Sequence, residues 1–301
     1  MSNRWLVTGA GGQFGSVLLR ELVDRDPSAL GLISPSGPAP FVGETVRVDL
    51  TDRDALAEVV RGARPAVIIH AAALTNVSAA FEDPALATQM NVDTTVRLAE
   101  LAGEVGARFV FVSTDLVFDG TRAPYGEGAA PSPLSIYGRT KAEAERLVLQ
   151  FTGALIVRPP LMYGLPAAPR ETTFVNQLSA IRDGNALRLF EDEFRTPIAL
   201  IDAARSIIHA AQSDHVGVLH VAGPERLSRL EMGRLAAHAL GRSDRNIIPT
   251  RQREMQFAEP RPADVSLDCG LFGRIFDRPP GRPMREAMVE IAEGFMDDCP
   301  G

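Results

Sequence analysis

Tyr137-Gly-Arg-Thr-Lys141 sets a phenol and an ammonium four residues apart, which on a helix places both on one face. A phenol has an ordinary pKa of about 10, and a cation that brings it to neutrality in a partly desolvated cleft must supply roughly 4 kcal/mol. A tyrosine lowered in this way is a usable general acid. Taken alone, the pair reads as readily as a core aromatic beside a solvated lysine, so the rest of the chain has to decide.

Two features weigh toward chemistry. Residues Thr8 to Gly15 read TGAGGQFG, between the apolar run Trp5 to Val7 and a helix-like segment, so a tight glycine turn joins a strand to a helix. Gly9 permits the turn, Gly12 lets backbone N–H groups approach phosphate oxygens, and Gly15 lets helix and strand pack closely. Such a turn suits a dinucleotide pyrophosphate, held against Gly9, Gly11, Gly12, Gln13, Phe14 and Gly15; the alternative is a turn that binds nothing. The second feature is Ser113-Thr114-Asp115, which follows the apolar run Phe109 to Val112. A hydroxyl there stands at a C-terminal strand edge, where open α/β sheets bind ligands. Thr114 is the expected partner of a reacting carbonyl oxygen, Ser113 can exchange roles with it, and either can instead cap the strand end locally.

The elements that must position these groups follow from periodicity. Apolar runs at Trp5–Val7, Ala29–Ile33, Val46–Val48, Ala66–His70, Phe109–Val112, Leu155–Val157 and Val218–Val221 lack polar alternation, as strands buried on both faces do. Helical patterns at Gly15–Val23, Arg53–Arg61, Pro84–Val105, Tyr137–Phe151 and Ala203–Gln212 supply the crossovers of a parallel sheet. The prediction is a doubly wound α/β fold. After Val157 the prolines 159, 160, 166 and 169 break the alternation. A second, discontinuous lobe is expected over 166–198 and 223–301, with 199–222 returning to the dinucleotide-binding domain of 1–165. Within that lobe Thr172–Arg182, Leu227–Leu240 and Pro283–Met296 read as helices and Leu187–Phe190 as extended.

Composition narrows the function. The 301 residues are 45% hydrophobic, enough for a large core, and the net charge of −7 with no basic run argues against nucleic acid or an anionic membrane as partner. Cys269 and Cys299 are the two cysteines, and no secretory leader is evident, which fits a reduced, cytoplasmic setting. No apolar run approaches the ~20 residues needed to span a bilayer. The five histidines show no metal-ligand spacing with the cysteines, so no metal is assigned. Asp202 reads as the N-cap of the helix that follows it.

The combination of Gly9-x-x-Gly12-x-x-Gly15, Asp49-Leu50, His70-Ala-Ala-Ala73, Asn91, STDLVFDG (113–120), YGRTK (137–141) and RPPLMYG (158–164) resembles the extended short-chain dehydrogenase/reductases nearly end to end. Within them STDLVFDG, RTPI (195–198) and RPADVSLD (261–268) are similar to the dTDP-4-dehydrorhamnose reductase branch, which also includes the regulatory subunit of methionine adenosyltransferase. The resemblance implies a Thr114–Tyr137–Lys141 triad in which Tyr137 protonates a carbonyl oxygen, Thr114 positions it, and Lys141 lowers the phenol pKa and holds the nicotinamide ribose. It implies that Asp49 and Leu50 flank adenine, that Ala71, Ala72, Ala73 and Ser113 line the cofactor, and that Pro159 closes over the nicotinamide. Thr75, Asp115, Leu116, Arg195 and Arg261 are its implied substrate contacts, the two arginines through a diphosphate or else in packing roles. Asn91 is expected to kink or hydrate its helix. A homodimer through Pro84–Val105 and Tyr137–Phe151 is also implied.

The chain departs from that branch where sugar contacts are usual: Leu116, Leu74 and Ser78 replace two tyrosines and an aspartate. Ser34-Pro35-Ser36, at the end of the second strand, carries no acid to grip a ribose 2′-hydroxyl, which favours NADP(H) over NAD(H), with Ser34 and Ser36 as phosphate donors. No arginine is expected there. The leading expectation is an NADPH-dependent reductase of a keto group on a nucleotide-linked 4-keto-6-deoxysugar. The alternatives are an epimerase or dehydratase that retains its nicotinamide, and a non-catalytic NADP-binding regulatory subunit.

Overall fold

The computed structural model describes residues 4–297, so Cys299 lies outside the described residues. Seven strands form one parallel sheet: β1 (Trp5–Thr8), β2 (Leu30–Ile33), β3 (Glu44–Arg47), β4 (Val67–His70), β5 (Arg108–Val112), β6 (Leu155–Arg158) and β7 (Gly217–His220). Their order is β7-β6-β5-β4-β1-β2-β3, so each apolar run read from the sequence contributes one strand. The chain winds outward from β1 to β3 and then returns to β4 on the other side of β1. Between β1 and β4 the winding reverses, and a crevice opens outside the carboxyl ends of the strands. Register levels those ends, with Thr8 opposite His70, His70 opposite Phe111, and Val112 opposite Val157. The segments that begin at Gly9, Ala71, Ser113 and Pro159 therefore leave the sheet along one edge.

Helices cover both faces. On one, α1 (Gln13–Val23) packs against the returning helix Leu200–Ala211, which buries Ala203, Ala204, Ile207 and Ile208. On the other, α2 (Arg53–Ala63), α3 (Thr94–Val105) and α4 (Ile136–Val148) bury Leu56, Leu98 and Val148 against Ile68, Phe109 and Ile156. Each fully buried aliphatic side chain contributes roughly 1.5–3 kcal/mol, so the two apolar layers hold the sheet between the helices that carry the site residues. Among the described residues no helix is long and apolar enough to cross a membrane.

The remaining segments gather a separate apolar cluster, in which Phe174, Leu178, Leu230, Met288 and Phe295 come together from helices Thr173–Arg182, Arg229–Ala239 and Met284–Asp297. Short strands brace it: Leu187–Phe190 pairs with Ile247–Thr250, and Phe194–Arg195 with Leu227–Ser228.

Several local expectations are corrected. Asp202 is not an N-cap, because its helix begins at Leu200; the carboxylate instead accepts from the Arg282 backbone N–H at 3.1 Å and pairs with that side chain at 3.0 Å. Leu227 and Ser228 are strand rather than helix, and Ser228 caps Arg229–Ala239 in a reciprocal box with Glu231. The run from Pro84 to Val105 is helical throughout but passes through a π-helical turn at Gln89–Asp93. Asn91 lies inside that turn. Its amide accepts from the Leu74 N–H at 2.8 Å and donates to the Thr140 hydroxyl at 3.0 Å, joining two walls of the crevice.

Candidate active site

The glycine turn is as tight as its sequence requires. Gly9 adopts φ +71°, and a Cβ there would stand 2.9 Å from the Ala72 backbone. A Cβ on Gly15 would lie 2.1 Å from the Gly9 carbonyl oxygen, so only glycine lets α1 start this close to β1. The N-terminus of the eleven-residue α1 points its free N–H groups and positive dipole end into the crevice. Thr8 ties the turn to β4: its hydroxyl meets His70 Nδ1 at 2.7 Å and accepts from the Ala72 N–H at 3.2 Å. His70 Nε2 lies 3.0 Å from the Thr95 hydroxyl, and burial holds the ring neutral with a pKa of about 3, so it is a satisfied core histidine.

The crevice deepens into a cleft of about 1040 Å³. Gly9, Gly11, Gly12, Gln13, Phe14, Gly15, Ser34, Asp49, Leu50, Ala71, Ala72, Ala73 and Pro159 line it, together with Ser113, Thr114, Tyr137 and Lys141. Thr75, Asp115, Leu116, Arg195 and Arg261 also line it. Ser36 does not line the cleft. Asp49 is occupied by its own turn, accepting from the Thr51 N–H at 2.9 Å and hydroxyl at 2.7 Å, which holds it below the usual carboxylate range. An arginine does stand at the second strand's end, contrary to expectation. Arg47 reaches across from β3, and its Nη1 donates to the carbonyls of Pro35 and Gly37, each at 2.9 Å. Its sequence distance from Ser34 concealed it; strand pairing brings them together.

Tyr137 and Lys141 share one face of α4, and both are buried. Gly138 makes this possible: a Cβ there would stand 2.3 Å from the Leu116 carbonyl oxygen, so the helix meets the 115–117 turn with no room for a side chain. Tyr137 forms an apolar cluster with Ala80 and Ala87, against which Leu74, Val77, Leu116 and Ile136 pack. Burial raises the phenol above its ordinary value, the Thr114 hydroxyl opposes this, and the charge of Asp115 adds to the rise. This is opposite to the direction expected from Lys141. That ammonium instead donates to the Val112 carbonyl at 2.7 Å and lies 4.0 Å from the centre of the Phe111 ring, and burial brings its pKa down to about 7. Thr114 accepts from the Leu116 N–H at 3.2 Å and donates to the Asp115 carboxylate at 3.2 Å. The buried Ser113 hydroxyl has no hydrogen-bond partner among the described residues.

Where Glu193, Arg195, Arg229 and Arg261 line it, the cleft is strongly charged. Arg195 Nε lies 3.5 Å from Asp115 Oδ2, while Glu193 stands 3.5 Å from Arg195, 3.6 Å from Arg261 and 4.0 Å from Arg229. Burial raises Asp115 to about 6 in spite of Arg195. Arg229 and Glu193 were not read from the sequence; an arginine opening a helix and a glutamate between short strands carry no local signal. The rings of Phe190 and Phe257 meet at 5.9 Å beside this cluster, with Arg261 4.7 Å over Phe257.

Comparison with known proteins agrees with this geometry. Residues 3–296 match the family described as the RmlD substrate binding domain. The chain is 30% identical to methionine adenosyltransferase 2 subunit beta of Danio rerio over 98% of this chain and 92% of that one. It is 29% identical to dTDP-4-keto-6-deoxy-D-glucose reductase of Streptomyces niveus over 87% of each. A dTDP-4-dehydrorhamnose reductase of Bacillus anthracis, solved in complex with NADP, superposes with a TM-score of 0.82 at 25% identity, covering 99% of this chain and 100% of that one. With a parallel sheet whose switch-point cleft is lined by both a glycine turn and a Thr–Tyr–Lys set, and a match that runs throughout, the chain belongs to the RmlD substrate binding domain family, the dTDP-4-dehydrorhamnose reductase-like branch of the extended short-chain dehydrogenase/reductases.

Proposed function

We propose that this chain is an NADPH-dependent reductase of a keto group on a nucleotide-linked 4-keto-6-deoxysugar. The observation that carries the reading is that Tyr137, Thr114 and Lys141 line the same cleft as the glycine cradle and the arginines Arg195, Arg229 and Arg261. The cradle fits a dinucleotide, since Gly9 and Gly15, which have no room for a Cβ, let the tight turn and the start of α1 line the cleft with backbone N–H groups. Bound there, a nicotinamide supplies hydride. Tyr137 then delivers its proton to the carbonyl oxygen, Thr114 holds that oxygen in place, and Lys141, whose pKa burial brings down to about 7, holds the ribose and can take up charge beside the phenol. Residues 1–165 with 199–222 serve the coenzyme in this reading, and 166–198 with 223–301 the sugar nucleotide. Ser34, helped by Arg47, favours NADPH over NADH.

The test is NADPH oxidation with 4-keto-6-deoxy nucleotide sugars. Tyr137→Phe is expected to lose 10²- to 10⁴-fold in turnover, while unchanged activity would refute the acid assignment. Turnover without added NADPH, from protein isolated with its coenzyme in place, would point instead to an epimerase or dehydratase. A regulatory-subunit reading draws support from the likeness to methionine adenosyltransferase 2 subunit beta and from Leu74 and Leu116, which pack against Tyr137 and leave it fewer polar neighbours. Robust ketone reduction with no stable heterologous partner in pull-downs would end it. In a cytoplasmic homodimer the contact would run through Pro84–Val105 and Tyr137–Phe151. The outer faces there carry ion pairs such as Arg97–Glu104 and Arg146–Glu143 beside exposed Leu86 and Leu149. Light scattering showing a monomer at micromolar concentration would overturn the dimer.

A further inference from the structure

Arg195 stands between two charges that belong to different parts of the fold. Its Nε faces Asp115 at 3.5 Å, at the end of β5, and its Nη2 faces Glu193 at 3.5 Å, inside the small lobe. Both partners are buried, as is Arg195 itself, whose Nη1 also donates to the Phe194 carbonyl at 2.6 Å. Glu193 in turn meets Arg229 and Arg261. Asp115 touches Thr114, which neighbours the Tyr137 phenol. An unbroken row of polar groups thus runs from the arginines of the small lobe to Tyr137, and Arg195 is its middle member. The charged and titratable groups that act on Asp115 are Arg195, Arg229, Glu193 and Tyr137.

We propose that Arg195 is a positioning residue that couples anion binding at the Arg229–Arg261 cluster to the charge of Asp115, and through Asp115 to the proton-donating power of Tyr137. An anionic group seated on Arg229 and Arg261 draws Arg195 toward itself and away from Asp115. A buried carboxylate that loses its cation takes a proton from solvent. Asp115, now neutral, no longer opposes ionisation of the phenol, so Tyr137 gives up its proton more readily once an anion-bearing ligand is in place. The phenol stays protonated until then. The proposal rests on the reductase reading for the use made of Tyr137, but the coupling between the arginines and Asp115 stands apart from it.

The test follows the Asp115 carboxyl by carbon NMR in aspartate-labelled protein, assigned with Asp115→Asn, without coenzyme, and with inorganic pyrophosphate as the anion. Saturating pyrophosphate is expected to raise the Asp115 midpoint by about one pH unit or more, a tenfold rise in proton affinity. Arg195→Met is expected to raise it to a similar extent without pyrophosphate and to remove the response to pyrophosphate. Arg195→Lys keeps the charge and should keep a nearly native midpoint, and it serves in place of Arg195→Met, by its retained pyrophosphate response, if the latter fails to fold. The proposal is overturned if pyrophosphate does not bind at millimolar concentration, or binds without moving the midpoint. A protein that shows the coupling but reduces no ketone would leave the proposal standing and the reductase reading refuted.

Discussion

Lys141 Nζ donates to the carbonyl of Val112 at 2.7 Å, so the one ammonium beside the phenol is anchored to the last residue of β5 and withdrawn from water. Burial lowers its pKa to about 7 from an ordinary 10.5. Between these values the unfolded chain holds a proton that the folded one has released, so this group makes stability rise with pH from about 7 to 10.5. Lys141→Met is therefore expected to be more stable than the native chain, on the order of 2 kcal/mol at pH 7 after loss of the Val112 hydrogen bond. The gain should shrink as pH approaches 10.5. Urea denaturation across that range would show a constant difference if the ammonium were not desolvated.

Arg158 and Glu145 form a buried two-point ion pair, Nη2 to Oε2 at 2.5 Å and Nε to Oε1 at 2.9 Å. Removing one partner strands the other's charge in the core. Arg158→Met or Glu145→Leu alone is expected to cost about 3–5 kcal/mol, and the double substitution clearly less than the sum. Additive losses in denaturant melts would contradict this.

Gly138 meets the Leu116 carbonyl with no space for a methyl group. Gly138→Ala should push α4 off the 115–117 turn, lowering stability by about 1–3 kcal/mol and displacing Tyr137 from Thr114. A native melting temperature together with native turnover would show that the contact has slack.

Arg47 braces the Ser34–Gly37 turn through backbone carbonyls and remains exposed, so its guanidinium can reach a 2′-phosphate. Arg47→Met is expected to weaken NADPH about tenfold more than NADH in fluorescence titrations. Equal weakening of both coenzymes would reduce Arg47 to a brace.

Much of the architecture was legible because buried parallel strands advertise themselves as unbroken apolar runs; each of the seven runs fell on a strand, although β3 (Glu44–Arg47) is an exposed to half-buried edge strand and not one buried on both faces. Tyr137, Lys141 and the glycine turn were legible because helix spacing and turn chemistry are local. What escaped was non-local. Arg47 reaches Ser34 only through strand pairing, and Glu193 gathers three arginines from separate segments. The direction of the Tyr137 shift was misread for the same reason: a four-residue spacing says that two side chains share a face, whereas the burial that raises the phenol and the Val112 carbonyl that holds the ammonium come from other parts of the chain. Asp202 looked like a cap because a helix start was placed three residues late.

Tyr137, Lys141 and Glu145 follow one another at four-residue steps along α4, from cleft to core. The last of them is bolted to Arg158 in β6. Turning the helix about its own axis is the motion that would re-aim the phenol, and the bolt at its far end is what forbids that turn. A substitution deep beneath the cleft, touching no ligand, would therefore act as a change of aim.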